Sequence, residues 1–558
     1  MSCCCEKALP EKILAWQMFG AGFENFGENE QASVLDLPEI KDDQLLVKID
    51  AIGLCFSDVK LIRAGQDHPR VISQDLKTDP VIPGHEAVMT VVKVGDKIKD
   101  QFQVGKRYII QADVYVNGKG FAYGYAINGG MAQYSVIDQR ILNGDEGCYL
   151  LPLADSTPSA VAALFEPWTC VLASYRLGYR TAPLNGGKVL FVFGDKEKNY
   201  TLGNVVAAAA PASAVLVNAS SAMAAEIAKA WPNAKITCAS SLPEDSFDDI
   251  FLCDVAKEEG EKAAKMGNVH ACISFVGNYT DDWSFDVGSI HYQAWFYQGT
   301  VSNDLSAAYG RNVRSSLRKG GVCWLPGGAG AMGQMHTQLA LSSKEGPRKV
   351  LVTDMDNTRL AHVKEALGDL AKENGIEFEL LNPADFADGE AFDAKLKEFA
   401  PEGFDDIVML VPVPALVTNY AKFLAKDGLM NIFAGIPAGK EGTLSTAGIA
   451  ANGFRFIGSS GSKTEDLRHT IKMVEEGKLN PVSALAAIGG MKDLKKGLDA
   501  VANARFPGKT VIFPNCEEMP LTSVADMASL AEGLEKTLDA NGAYTLETEK
   551  MLLAKFQK

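Results

Sequence analysis

LPGGAGAMGQMH, residues 325–336, sits between the apolar run GGVCWLP and a stretch with helical character. Its core is Gly328-x-Gly330-x-x-Gly333. In a strand–turn–helix the first glycine permits the tight turn, the second lets backbone approach a pyrophosphate, and the third lets helix meet strand. Met332 lies inside the same turn and joins Gly328, Gly330 and Gly333 as a candidate contact. The next apolar run, KVLVTDM, ends on Asp354, 21 residues past Gly333. A carboxylate there can bind adenosine ribose hydroxyls, and its charge repels a 2′-phosphate, so NAD(H) is favoured over NADP(H). GxGxxG alone is a weak signal; strand, helix and acid at this spacing predict a Rossmann coenzyme domain.

The pattern surrounding the loop is repetitive. From about Gly186, KVLFVFG, AVLVNAS, KITCAS, DDIFLCDV and HACISFVG alternate with alanine-rich segments, as expected of a parallel sheet covered by helices. After residue 320 the alternation recurs in GGVCWLPGG, KVLVTDM, IEFELLNP, FDDIVMLVP and GLMNIFAG. AVLVNASSAMAAEIAKA (214–230) lines up with KVLVTDMDNTRLAHVKEA (349–366), and SFDDIFL (246–252) with GFDDIVM (403–409). Two tandem α/β units follow. The first has FGDKEKNYTLG (193–203) where the phosphate turn belongs. Gly194 and Gly203 are too far apart, and Asp195 and Glu197 oppose phosphate, so a structural or subunit-contact role is expected. Residues 13–150 read differently, as short strands with glycine turns (QLLVKIDAIGL, HEAVMTVVKVG, GKRYIIQADV, AQYSVI), an all-β pattern.

Within that β region a second constellation stands out. Cys55 in LCFSD, the adjacent His85 and Glu86 in PGHE, and Glu166 in FEPW offer one thiolate, one imidazole and two carboxylates. Zinc accepts S, N and O donors, and a catalytic site keeps one position open.

CFSDVK (55–60), PVIPGHEAVMTVVKVG (80–95), GGMAQYSVI (129–137), AALFEPW (162–168), LPGGAGAMGQMH and FRFIGSSGS (454–462) together resemble the zinc-type medium-chain dehydrogenase/reductase superfamily. AGQDHPRV (64–71), with GAMGQMH, is most similar to reductases of the L-sorbose 1-phosphate type. The resemblance implies an α/β protein with a GroES-like β-barrel catalytic domain, a Rossmann domain and, unusually, a degenerate Rossmann-like unit inserted before it. It implies Cys55 and His85 as direct zinc ligands, with Glu86 or Glu166 in the remaining protein position. Zinc would polarise a substrate oxygen while hydride passes to or from nicotinamide. Ser57 falls where relatives place the hydroxyl that takes the alcohol proton, and Lys60 where many have a histidine relay. With an ordinary pKa of ~10.4, Lys60 relays poorly at neutral pH, and its alternative task is to hold an anionic substrate group. Lys60, Arg63, His68 and Arg70 place four potential cations within eleven residues, a candidate phosphate clamp. Residues 95–130 contain no cysteine, so the four-cysteine structural-zinc lobe of many relatives is missing and one catalytic zinc is expected. Tyr123 and Tyr125 there either line a pocket or pack.

The 558 residues carry 47% hydrophobic content and a formal net charge of −16, which disfavours nucleic-acid and anionic-membrane partners. No run approaches the ~20 apolar residues of a bilayer span, and no secretory signal is apparent. Eleven cysteines without a CxxC framework fit a reducing cytoplasm. Cys3-Cys4-Cys5 reads as part of a disordered tail. The expected layout is tail 1–12, catalytic domain 13–184, degenerate unit 185–316, NAD domain 317–462, a return to the catalytic domain at 463–514, and a helical extension at 515–558. In that extension Ser523 and Asp526 resemble a capping box. The resulting expectation is a zinc-dependent, NAD(H)-linked enzyme acting on a polyol or ketose, phosphorylated or free, assembled as a homodimer or homotetramer. A secondary-alcohol or threonine-type dehydrogenase is the alternative enzyme, and a non-catalytic, redox-responsive NAD-binding protein the alternative class.

Overall fold

The computed structural model describes residues 9–309 and 313–557; the Cys3-Cys4-Cys5 run lies outside them. Two compact units emerge, Met1–Leu172 with Gly461–Lys558, and Ala173–Ser460.

The first unit is built on an eight-stranded sheet. Its centre is the long strand β1 (Leu45–Leu54), followed by helix α1 (Phe56–Ala64) and strand β2 (Glu86–Val94). Beyond β2 come β3 (Arg107–Ile110), β4 (Tyr134–Ile137) and β5 (Leu150–Pro152). Helix α2 (Phe165–Ser174) follows. β1 pairs antiparallel with both β2 and β4. Alternation alone predicts one buried face, but β1 and β2 are buried on most positions because side chains pack on both faces of the sheet. That core includes Trp16, Phe26, Tyr123 and Tyr149.

The second unit carries a twelve-stranded sheet made of two halves. The first half comprises β6 (Lys188–Phe193), β7 (Ser213–Val217), β8 (Lys235–Ala239), β9 (Phe247–Cys253), β10 (Gly267–Val276), β11 (Asp282–Asp286), helix α3 (Val287–Tyr292) and β12 (Phe296–Thr300). The second half comprises β13 (Val322–Pro326), helix α4 (Ala331–Leu341), β14 (Lys349–Thr353), β15 (Glu377–Leu381), β16 (Phe404–Met409), β17 (Leu424–Ile432), β18 (Glu441–Ser445), helix α5 (Thr446–Ala450) and β19 (Arg455–Ile457). The strand order is β8-β7-β6-β9-β10-β12, continuing as β19-β17-β16-β13-β14-β15. Each half is parallel and has the 3-2-1-4-5-6 order of a doubly wound dinucleotide fold.

The repeated Phe-Asp-Asp has a physical reason. Arg180 Nη1 and the Leu184 amide both donate to Asp249 Oδ2 (2.6 and 2.8 Å), and the Lys188 amide donates to Asp248 Oδ2 at 2.8 Å. In the second half Arg314 Nη1 donates to Asp406. The Arg318 amide donates to the same carboxylate at 2.8 Å, and the Val322 amide to Asp405 Oδ2 at 2.9 Å. The two aspartates thus clasp the segment that enters the first strand of each half. Both pairs sit at a register shift in their strand.

The chain then re-enters the first unit with β20 (Leu485–Gly490), β21 (Lys509–Phe513) and β22 (Thr522–Ser523). β21 pairs antiparallel with β1. The α-helix read in SVADMASLAEGLEKTL is replaced by two 3₁₀ stretches, Val524–Leu530 and Leu534–Thr537, separated at Gly533, whose φ is 82°. Ser523 still caps, accepting from the Ala525 amide at 3.1 Å, but the capping box with Asp526 is not formed. The last helix, α6 (Leu546–Phe556), docks through buried Glu549, which accepts from the Ser159 and Ala160 amides at 2.6 and 2.9 Å.

Candidate active site

Cys55 caps the N-terminus of α1, His85 immediately precedes β2 and Glu86 opens it, so the pairing of β1 with β2 brings thiol, imidazole and carboxylate together. One donor atom from each of Cys55, His85 and Glu86 lies within 4.8 Å of the other two. Asp58, fully buried, locks two of them. One oxygen bonds His85 Nδ1 at 3.0 Å and the other accepts from the Cys55 amide at 3.0 Å. With Nδ1 engaged, Nε2 is the ring atom left for a ligand bond. Burial opposes charge on His85, but the Asp58 carboxylate and the hydrogen bonds from Asp58 and Cys55 hold its pKa well above the ordinary value.

Glu86 is held from the far side of β1. β21 and β2 flank that strand, with Val511 and Glu86 both opposite Gly53. Lys509 Nζ reaches Glu86 Oε1 at 2.5 Å, with only 4% of the lysine side chain and none of the glutamate exposed. Gly53 makes this possible, because a Cβ there would run into Glu86 Oε2. Although burial disfavours its charge, Lys509 stays firmly protonated beside Glu86. Glu86 Oε2 is buried and has no hydrogen-bond partner among the described residues. A carboxylate that belongs to a Cys-His-Glu donor set and keeps one oxygen unpartnered fits a divalent zinc ion, which would supply the missing partner.

Glu166, on α2, is outside the three-donor cluster. Burial, with the charges of Glu86 and Asp113, pushes its pKa up to about 7. Cys170, one turn on, donates weakly to Glu166 Oε1 at 3.6 Å.

Ser57 is half-buried in the first turn of α1, and Lys60 is exposed, with its ammonium 5.8 Å from the Phe56 ring centroid. Arg63 is exposed one turn further along α1. The basic loop is not uniformly cationic. Arg70 Nη1 binds Asp113 Oδ1 at 2.7 Å. Burial and the charges of Arg70 and Lys60 lower the His68 pKa to about 4, leaving it neutral at pH 7. The Tyr125 ring links loop and metal set, with its centroid 5.7 Å from His85 and 5.2 Å from His68. Arg70 lies 5.5 Å from the same ring. Tyr123, by contrast, is fully buried and bonds Ser135.

In the second unit the glycine loop joins β13 to α4, with Gly330 as the helix N-cap. Gly327 has φ 79°, and its amide donates to the Thr353 carbonyl at 2.7 Å. A Cβ on Gly333 would collide with Gly327 O and with Gly328, which gives the third glycine its packing role. Met332 is half-buried in the first turn of α4. Asp354 follows β14 directly, half-buried, and burial raises its pKa.

Sequence reasoning passed over Asp58 and Lys509. Asp58 stood inside the CFSD string, three residues from Cys55. Lys509 is 423 residues from Glu86, and only the strand register connects them.

Comparison with known proteins agrees with this geometry. Residues 41–143 match the alcohol dehydrogenase GroES-like domain, and residues 331–476 match the zinc-binding dehydrogenase family. The mannitol-1-phosphate 5-dehydrogenase of Aliivibrio fischeri is 24% identical over 512 residues, covering 91% of this chain and 89% of that protein. The L-sorbose 1-phosphate reductase of Klebsiella pneumoniae is 22% identical over 527 residues, 93% of each chain. The crystal structure of 2R,3R-butanediol dehydrogenase from Bacillus subtilis shares the fold, with a TM-score of 0.53 at 13% identity over 90% of this chain and 100% of that one. No helix among the described residues is long and apolar enough to cross a membrane. The chain is an alcohol dehydrogenase-type oxidoreductase and belongs to the zinc-type medium-chain dehydrogenase/reductase superfamily.

Proposed function

We propose that this protein is a zinc-dependent, NAD(H)-linked dehydrogenase that interconverts a secondary alcohol of a polyol or sugar phosphate with its ketone. The observation that carries the reading is the Cys55–His85–Glu86 cluster, in which one donor atom of each residue lies within 4.8 Å of the other two and one Glu86 oxygen has no hydrogen-bond partner among the described residues. Cys55, His85 and Glu86 would hold the metal, and Glu166, whose titration feels the charges of His85 and Glu86, would exchange with Glu86 or bond a water. Bound zinc supplies Lewis-acid polarisation of the substrate oxygen. Asp58 fixes the tautomer and ring plane of His85, and Lys509 pairs with the Glu86 carboxylate in a buried site. Ser57, two residues past Cys55, relays the hydroxyl proton in oxidation, accepting it on Oγ as its own proton passes on to solvent, and the same relay runs in reverse in reduction. Gly328, Gly330, Met332 and Gly333 cradle the pyrophosphate, while Asp354 binds the ribose hydroxyls and disfavours a 2′-phosphate.

The phosphate preference has two supports. Two relatives that match over about nine-tenths of their length are named for sugar or polyol 1-phosphates. Lys60 and Arg70 also lie close enough to shift the titration of His68. The clamp consists of Lys60 and the Arg70 donors not used by Asp113, with Arg63 at its exposed margin. Neutral His68 contributes a hydrogen bond rather than charge.

The deciding experiment is NADH oxidation by purified, zinc-analysed protein on ketose 1-phosphates and on the corresponding free ketoses. Phosphate-dependent turnover with about one zinc per chain, as expected of a catalytic site alone, supports the proposal. Equal turnover on free ketoses or simple ketones favours a secondary-alcohol dehydrogenase and reduces the basic loop to surface charge. Cys55→Ala should lose zinc and turnover together while keeping NADH binding; full activity in that variant would remove the site assignment.

A further inference from the structure

The two halves of the twelve-stranded sheet meet at their sixth strands. β12 and β19 pair antiparallel through Tyr297 and Phe456, and β11 pairs antiparallel with β18. These contacts have a two-fold logic. Tyr297 and Phe456 differ by 159 in number, and so do Ser284 and Thr443 at the middle of the second pairing. With that offset, Asp282 pairs Ser445, the counterpart of Asp286, while Asp286 pairs Glu441, the counterpart of Asp282. Asp286 caps α3, and its counterpart Ser445 caps α5. The close approaches obey the same rule. A Cβ on Gly299 would meet Ala450 Cα at 3.0 Å, and a Cβ on Gly458 would meet His291 Cα at 2.8 Å. Gly458 is the counterpart of Gly299, and Ala450 of His291.

Reciprocal contact, with i on j and j on i, is the signature of an isologous interface between two copies of one subunit. Here it occurs within one chain, between halves that share strand order and the Phe-Asp-Asp clasp. The interface is well packed: Trp283, Phe285, Tyr297, Leu444, Ile449 and Phe456 lie in one buried core.

The two halves differ at the nucleotide crevice. In the first half Lys198 pairs with Asp254, and Tyr200 donates to the same carboxylate at 2.5 Å. Asn218, which follows β7 as Asp354 follows β14, turns back to donate to the Phe193 carbonyl at 2.7 Å. The helix after that loop spans only Gly203–Ala207. Side chains therefore fill the place where a pyrophosphate would sit.

We propose that the first half is a resident pseudo-subunit. It is a duplicate of the coenzyme half that has lost its phosphate turn and permanently covers the β18–β19 edge, so a second copy of the chain cannot pair there and each chain carries one dinucleotide site. An uncovered β18–β19 edge would offer unpaired backbone groups to another chain; the duplicate satisfies them at every concentration.

Two measurements on the full-length protein test this. Hydrogen exchange of 441–445 and 455–457, followed across a wide range of protein concentration, should show protection that does not change on dilution. Protection that falls on dilution would mean a second copy covers the edge, and would overturn the proposal. NADH titration should saturate at one per chain, with binding lost in Gly333→Val and kept in Lys198→Ala. Two NADH per chain, or binding lost in Lys198→Ala with the fold intact by circular dichroism, would also overturn it. The titration rests on the NAD(H) assignment above and the exchange measurement does not. Absence of any NADH binding would therefore sink the cofactor reading, while exchange still decides the pseudo-subunit.

Discussion

Asp58→Asn is the sharpest test of how the metal set is held. Asp58 is fully buried and uses both oxygens as acceptors, one for His85 Nδ1 and one for the Cys55 amide, each at 3.0 Å. An asparagine of the same shape has one acceptor and one donor. If its oxygen stays with the Cys55 amide, its NH₂ faces His85. The imidazole must then lose a bond or move its proton to Nε2, the atom needed for the metal. If the amide flips, the Cys55 N–H is left unpaired at the head of α1. Either way a ligand residue loses a buried hydrogen bond, at about 1–3 kcal/mol, equivalent to roughly 5- to 150-fold in an equilibrium constant. That range brackets the roughly 10–100-fold loss typical when an outer-shell partner of a metal histidine is removed. The assay is zinc affinity by competition with a chromophoric chelator, with far-UV circular dichroism as a fold check. Asp113→Asn is the control, since Asp113 is bonded to Arg70 and to neither ligand; its zinc affinity should stay close to wild type. Unchanged zinc affinity in Asp58→Asn, or an equal loss in both variants, would refute the argument.

Lys509→Met strands the Glu86 carboxylate in a buried site and should destabilise the zinc-free first unit by about 3–5 kcal/mol in urea unfolding. Adding Glu86→Gln should recover most of it, and a double variant as unstable as the single would count against a charge-based cause. Asp354→Ala should narrow the preference for NADH over NADPH without changing zinc content; a preference that stays as wide would remove Asp354 from the ribose site. His68 has its pKa lowered from 6.5 to about 4 in the folded protein. The unfolded chain therefore takes up the proton first, and stability that is full above pH 6.5 is lost as pH falls toward 4. His68→Gln should flatten this part of the stability profile in thermal melts across pH 4–7, and an unchanged profile would show that His68 does not titrate as its surroundings require.

Legibility followed the range of the physics. Period-two and period-3.6 patterns act over a few residues, so the strands of both units and the glycine loop of α4 could be read directly. The donors Cys55, His85 and Glu86 were also visible, because each is chemically unusual within a short string. Asp58 was visible only as a letter in that string, since its significance lies in having two acceptors, one aimed at the His85 ring and one at the Cys55 amide. Lys509 gave no local signal at all. A lysine beginning an apolar strand reads as an edge residue, and only the β21–β1–β2 register with the gap at Gly53 turns it into the partner of Glu86. The tail shows the opposite failure: SVADMASLAEGLEKTL has helical composition, yet left-handed Gly533 divides it into two 3₁₀ pieces. The duplication divides along the same line. Phe-Asp-Asp is legible because one local clasp imposes the same letters in both halves. The interface between the halves is not, because its reciprocal pairs join unlike residues such as Tyr297 with Phe456 and Gly299 with Ala450. Once two copies share a chain they are free to diverge, and backbone pairing and close packing require only that each side fit the other. Symmetry therefore survives in positions after it has faded from the letters, and the constant offset across the interface is where it can still be read.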